Sequence, residues 1–268
     1  LGVDYSGALA DKNTWATKGV LRGNVLTLIF CEPMPRAELT AKLASLPADA
    51  VAALDFPFSV PQVFAERWLP GAKTMPDLWR AAAAMDLPDF MHLRDEFVAQ
   101  HGEPFRRGDG YFPECYSCLH KANPNMVPMT FRGMRMLDGL WQAGCRVPPL
   151  PDGGHPGPLL LESMPGAALR AFGLPFKGYK KGQRAVELRR KILDGLERRS
   201  GVKIPNLAWF DDRCIGNDDC LDSVVASVAA CLWSLNHALF RLPQDGPGDP
   251  TSRGGTPHSD GNELAAAR

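Results

Sequence analysis

Four acidic residues stand where apolar runs end or begin. Asp4 follows Leu1-Gly-Val, Asp55 follows Val51-Ala-Ala-Leu, and Glu162 follows Leu159-Leu-Leu. Asp222 opens the apolar part of Asp218-Asp-Cys-Leu-Asp-Ser-Val-Val. A carboxylate at the end of a buried strand is costly to desolvate alone, so four such positions predict a shared site that holds divalent cations. Hard oxygen donors of this type suit Mg²⁺ or Mn²⁺. Two such ions, roughly 4 Å apart, can activate a water and stabilise the leaving oxygen of a phosphodiester. Asp4, Asp55 and Asp222 are the expected ligands, followed by Asp219, with Glu162 as a further ligand or the group that orients the water. Asp219 and Asp218 lie three and four residues before Asp222 and share its helical face. The helix macrodipole alone would also favour acids there, which is the competing reading for Asp218. For Asp4 the competitor is a turn in which its side chain caps the Ser6-Gly7 amides.

These residues need elements to carry them. The first sixty positions read as β-β-β-α-β: strands over 1–5, 14–21 and 25–31, a helix over 36–46 and a short apolar strand over 51–54. Arg22-Gly23-Asn24 is a hairpin turn between the second and third strands. Leu39, Leu43 and Leu46 give the helix its period, and Pro35 suits its start. A run as uniformly apolar as 51–54 predicts a strand covered on both faces. A meander that then receives a parallel strand through a helix is already a restricted topology.

Between 62 and 157 apolar helical stretches (76–85, 93–100 and 134–142) alternate with Pro- and Gly-rich loops, as expected of a helical insertion. The core then resumes over 158–241 with a strand at 159–161 and helices at 166–172, 184–199 and 218–239, the last with Asn217 as N-cap. Residues 242–268 are rich in Gly, Pro, Asp, Ser and Thr without periodicity and read as a disordered tail.

The ordered set Gly2-Val-Asp-Tyr-Ser-Gly7, Leu54-Asp-Phe-Pro-Phe-Ser-Val-Pro61, Glu162-Ser-Met-Pro-Gly-Ala167, Lys177-Gly-Tyr-Lys-Lys181 and Asp218-Asp-Cys-Leu-Asp-Ser-Val-Val225 resembles domain of unknown function family 429, described as predicted nucleases of RNase H fold. The resemblance spans most of residues 1–240. It implies an α/β fold in which a mixed sheet is flanked by helices and carries a carboxylate-held metal site. In such a fold Asp4 lies on the central strand, Asp55 on its neighbour and Asp222 on the closing helix. The acidic helix is also similar to the terminal helix of Holliday-junction resolvases. Gly-x-Asp-x-Ser-Gly further resembles the phosphate loop of actin-like ATPases, which makes a nucleotide-binding ATPase the first alternative. The second phosphate loop of that class has no match here. The only Asp-Gly-Gly, at 152–154, falls in a Pro-rich loop. A non-catalytic binding protein that has kept the fold is the second alternative.

With 30 basic and 30 acidic residues the chain has no global field for nucleic acid, so any such affinity must be local. Between 177 and 203 ten basic residues face three acidic ones. The helical part is a solvated face with i,i+4 pairs, but the loop Lys177-Gly-Tyr-Lys-Lys-Gly can return to the site and hold phosphates. Lys177, Lys180, Lys181 and Arg184, with Ser6 of the turn and Arg132 of Thr130-Phe-Arg-Gly-Met134, are the expected contacts to nucleic acid or a phosphorylated small molecule. Arg132 could equally cap a helix. Cys115-x-x-Cys118-x-His120, with Cys145 and His155, lacks the second close pair of a structural zinc site, so buried thiols are the expectation. Seven sparse cysteines argue for reduced thiols and a cytoplasmic protein. No apolar window reaches membrane-spanning length, and no secretory leader is expected to precede the opening strand.

Overall fold

A computed structural model of the chain describes residues 1–112, 114–241 and 256–257. Five strands, β1 (Gly2–Asp4), β2 (Trp15–Arg22), β3 (Val25–Pro33), β4 (Val51–Asp55) and β5 (Leu159–Glu162), form one mixed sheet in the order β3-β2-β1-β4-β5. β2 and β3 are antiparallel, with Arg22 opposite Val25 across the Gly23-Asn24 turn. Gly23 supplies the positive φ that this tight loop requires. β1 pairs antiparallel with β2 and parallel with β4, and β4 continues in parallel to β5. The parallel return from β3 to β4 runs through α1 (Arg36–Ala44). This is a mixed α/β fold of RNase H-like topology.

Strand alternation divides the side chains between two helical layers. Val3, Ala52, Leu54 and Leu160 face a layer made of α1, α2 (Gln62–Trp68), α3 (Met75–Ala83), α4 (Leu87–His101) and α5 (Met126–Gln142). The other face is covered by α6 (Pro165–Ala171), α7 (Ala185–Ser200), α8 (Asp211–Gly216) and α9 (Asp218–Leu235). α9 lies across β1, β2 and β4. Gly2 permits this approach, because a Cβ there would collide with Ser223 O and the Ser227 amide. Residues 62–157 therefore supply most of one of the two layers. Their Phe64, Trp79 and Phe131 share a continuous core with Val3, Leu54 and Leu160 of the sheet.

Several boundaries differ from the sequence expectation. The helix expected over 134–142 begins at Met126, because Pro128 sits in the first turn, where its missing N–H costs no helical bond. α4 begins at Leu87, ahead of 93, again with a proline near its start. α2 and α8 are too short to show a period and were not expected. α9 stops at Leu235, where Asn236 accepts from the Ala238 amide and starts a separate 3-10 turn. Asn217 caps α9 as expected, accepting from the Cys220 amide at 2.9 Å. The expected unstructured tail lies outside the described residues, apart from Thr256–Pro257, whose backbone pairs with Phe240–Arg241. Cys31, Cys145, Cys214, Cys220 and Cys231 are buried thiols. No helix among the described residues is long and apolar enough to cross a membrane.

Candidate metal centre

β1 and β4 end side by side, and their parallel register places Asp4 opposite Asp55. Both lie in step with Gly2 and Ala53, so both face α9. Asp222, in the second turn of α9, completes the group from above. One carboxylate oxygen from each of Asp4, Asp55 and Asp222 falls within 4.8 Å of the others, and no other such group of three His, Cys, Asp or Glu occurs among the described residues. Asp222 is fully buried and Asp4 nearly so.

A lysine and a tyrosine answer the charge on Asp222. Lys180 Nζ lies 2.6 Å from Asp222 Oδ2, and the Tyr179 hydroxyl donates to Asp222 Oδ1 at 2.8 Å. Arg189 fixes the loop that carries both by donating to the Tyr179 carbonyl at 2.7 Å. Burial holds the Asp4 carboxyl well above the usual range. Lys180 opposes this rise, while Asp222, Asp55 and Asp219 add to it. Burial also raises Asp222, against Lys180 and Tyr179. Asp219 is pushed up to about 6 by burial and by Asp218. Asp222 in turn holds Lys180 well above its ordinary value. Three converging carboxylates fit a hard divalent cation in donor type.

Glu162 is not part of this group. Leu54 is its register partner, and it shares the insertion-facing side of the sheet. There Arg106 grips it in a fork, Nη2 to Oε1 at 2.8 Å and Nη1 to Oε2 at 3.0 Å, while the Phe58 amide donates to Oε2 at 3.0 Å. The same guanidinium binds Asp109. Glu162 thus serves as counter-ion to Arg106 and stands outside the triad. The next residue, Ser163, stands beside Asp55 at the strand ends, where its amide donates to the Leu54 carbonyl. Its hydroxyl is buried without a partner. Asp219 lines the cavity but lies outside the triad, and Asp218 faces Arg189 at 3.9 Å.

Asp4 and Asp55 line a cavity of about 410 Å³ at the carboxyl ends of β1, β4 and β5, while Asp222 stays buried behind its wall. Ser6, Lys180 and Lys181 line it. The Ser6 amide donates to Thr14 Oγ1 and the Ala8 amide to Ser6 Oγ, so the turn is held by hydroxyls rather than by Asp4. Arg132 lies behind this turn and donates to the Gly7 carbonyl, while Arg36 donates to the Ser6 and Ala8 carbonyls. Arg132 therefore positions the loop and is not on the cavity wall. Gly7 has no room for a side chain against Asn125 and Met129 of the α5 N-terminus. Lys177 sits over the Phe176 ring and Arg184 pairs with Glu187, both away from the cavity walls.

Cys118 is buried in the insertion core, His120 binds Glu103 at 2.6 Å, and the His155 ring meets the Cys145 carbonyl at 3.0 Å. Asp152 to Gly154 do not line the cavity. Sequence reasoning missed Arg106, Tyr179, Glu114 and Ser163. Only Ser163 carried a local signal, since it keeps step with Asp55 once the register is known. The chain matches no protein-family model, no curated protein and no solved structure.

Proposed function

We propose that this protein is a divalent-metal-dependent phosphodiesterase, a nuclease acting on nucleic acid or nucleotides, and a member of domain of unknown function family 429. The observation that carries this reading is the meeting of Asp4, Asp55 and Asp222 oxygens within 4.8 Å, with the Lys180 ammonium 2.6 Å from Asp222. Asp4, Asp55 and Asp222 would hold Mg²⁺ or Mn²⁺. The ion's chemistry there is to lower the pKa of a bound water and neutralise charge on a phosphate. Lys180 and Lys181, on the same wall, supply positive charge to a phosphate without reading sequence. Tyr179 orients Asp222, and Arg132 with Arg36 fixes the turn after β1.

Mn²⁺ alone is expected to raise the melting temperature, and a labelled oligonucleotide is expected to be cut only with the metal present. Asp4→Asn should remove both effects. Cutting that survives Asp4→Asn would refute the assignment. Stabilisation only by Mg²⁺ with ATP would favour the actin-like alternative, and stabilisation by neither would favour a binding protein.

A further inference from the structure

Next to the carboxylates and lysines the cavity has a second region, built differently. Its wall comes from the loop that joins α4 to α5, with Glu114, Cys115 and Tyr116, and from Ser163 after β5. Two polar atoms are left over there. Ser163, 4 % exposed, has a hydroxyl with no hydrogen-bond partner. Glu114 gives Oε1 to Arg170 at 3.0 Å, while its Oε2 is buried with no partner. A buried atom of this kind costs about 1–3 kcal/mol unless something binds it. An unpartnered carboxylate oxygen calls for a donor, an amino or hydroxyl group, and would repel a phosphate. Beside them the Tyr116 ring is 65 % exposed although it is large and flat. It is not loose, because it stacks on His120 at 5.0 Å and 19°, and Glu103 pins His120 at 2.6 Å. A rigid aromatic face at a cavity rim is a platform for another flat ring.

We infer that this region of the cavity is a nucleoside subsite, in which a single unpaired nucleotide stacks its base on Tyr116 and gives base-amino or sugar-hydroxyl protons to Glu114 Oε2 and Ser163 Oγ. Its phosphate then lies toward Lys180, Lys181 and the three aspartates. The inference rests on the phosphodiesterase reading and narrows its substrate. A cavity of about 410 Å³ is the size that buries one small ligand, so the strand enters by its end or by an extruded nucleotide rather than as a duplex.

The test is calorimetric titration of the native protein with nucleoside monophosphates, which contain no diester to cleave, with Mg²⁺ and with chelator, alongside ribose phosphate as a ligand without a base. Tyr116→Ala should weaken the monophosphates roughly ten-fold or more and leave ribose phosphate unaffected. Ser163→Ala should weaken both kinds of ligand or the nucleotide alone, according to which group it contacts. Tyr116 is exposed, so its variant is expected to keep the native melting temperature, measured as a control. Monophosphate affinity that ignores Tyr116→Ala, or no monophosphate binding at all, overturns the subsite. Metal-dependent cleavage persisting in that case leaves the phosphodiesterase reading standing. Tyr116-dependent binding without any cleavage leaves the subsite standing and removes the nuclease.

Discussion

Lys180 holds a place that a metal ion would contest. Its ammonium is 2.6 Å from Asp222, whose other oxygen is taken by Tyr179, so cation and lysine compete for one carboxylate. Gly178 and Gly182, both at positive φ, flank the loop and supply the turns that bring Lys180 to Asp222. Lys180→Met should therefore tighten Mn²⁺ roughly ten-fold by removing like charge, while weakening a nucleic-acid ligand and flattening its salt dependence. Titration calorimetry with metal and with oligonucleotide separates the two effects. If Lys180→Met weakens the metal as well, the lysine orders the site instead of competing for it. The same group predicts a pH dependence. Asp4 and Asp222 are raised in the folded state and Asp219 reaches about 6, against about 4 for unfolded carboxyls. The folded protein then binds more protons through that interval, and its stability falls as pH rises across it. Without divalent ions the melting temperature should drop as pH rises from about 4 through about 6. Mn²⁺ should restore it at the upper pH and do little at the lower one. Asp4, Asp55 and Asp222 were legible because strand ends and a helix start mark them in one dimension. Glu162 was grouped with them because its apolar run looks like that of Asp55. The difference is register: Leu54 pairs with Glu162, so parity sends the glutamate to the opposite face. Arg106 left no local trace, since its partner Glu162 lies 56 residues away.

Three carboxylates meet only because α9 lies close on β1 and β4. Gly2 is the point of closest approach, its hydrogen facing Ser223 O and the Ser227 amide. Thr17 on β2 adds a buried bond to Ser223 at 2.7 Å. Gly2→Ala must push the helix away or bend β1, at a cost of about 1–3 kcal/mol for forced overpacking. Because Asp4 and Asp222 sit on the two elements being separated, metal affinity should fall along with stability. Chemical denaturation and Mn²⁺ titration of this variant measure both. Thr17→Val is the control, since it weakens the same packing without moving β1. If Gly2→Ala lost stability yet kept native metal affinity, α9 would not be what sets the spacing of the ligands. At this scale the sheet was largely readable. The hairpin turn, the uniformly apolar β4 and β5 and the Asn217 cap are local signals, and each places its element. Helix starts were less readable where a proline stands in the first turn, as Pro128 does in α5 and Pro88 in α4. Proline reads as a breaker in sequence but costs nothing at such a position.

Across the whole molecule the insertion and the sheet are joined by one core and by one buried ionic knot. Arg106 donates to Glu162 on β5 and to Asp109 in its own loop, and all three are buried. Such a knot gives little net stability against an apolar replacement, but breaking it from one side is costly because charge is left behind. Arg106→Met should destabilise the protein by about 3–5 kcal/mol, and Arg106→Met combined with Glu162→Gln by less than the sum of the two single changes. Because the core runs continuously from Val3 through Trp79 to Leu140, unfolding followed by far-UV and near-UV signals should show one shared transition rather than a separate insertion step. The knot also separates two roles that the sequence could not. Glu162 touches the cavity wall yet spends both oxygens on Arg106 and the Phe58 amide. Glu162→Gln is therefore expected to lower the denaturation midpoint while leaving Mn²⁺ affinity unchanged, whereas Asp55→Asn should abolish metal binding with a smaller loss of stability, or even a gain, since a like charge is removed from the triad. Should Glu162→Gln weaken Mn²⁺ as much as Asp55→Asn does, the arginine must release the glutamate when metal arrives, and the insertion would then be coupled to the site through that exchange.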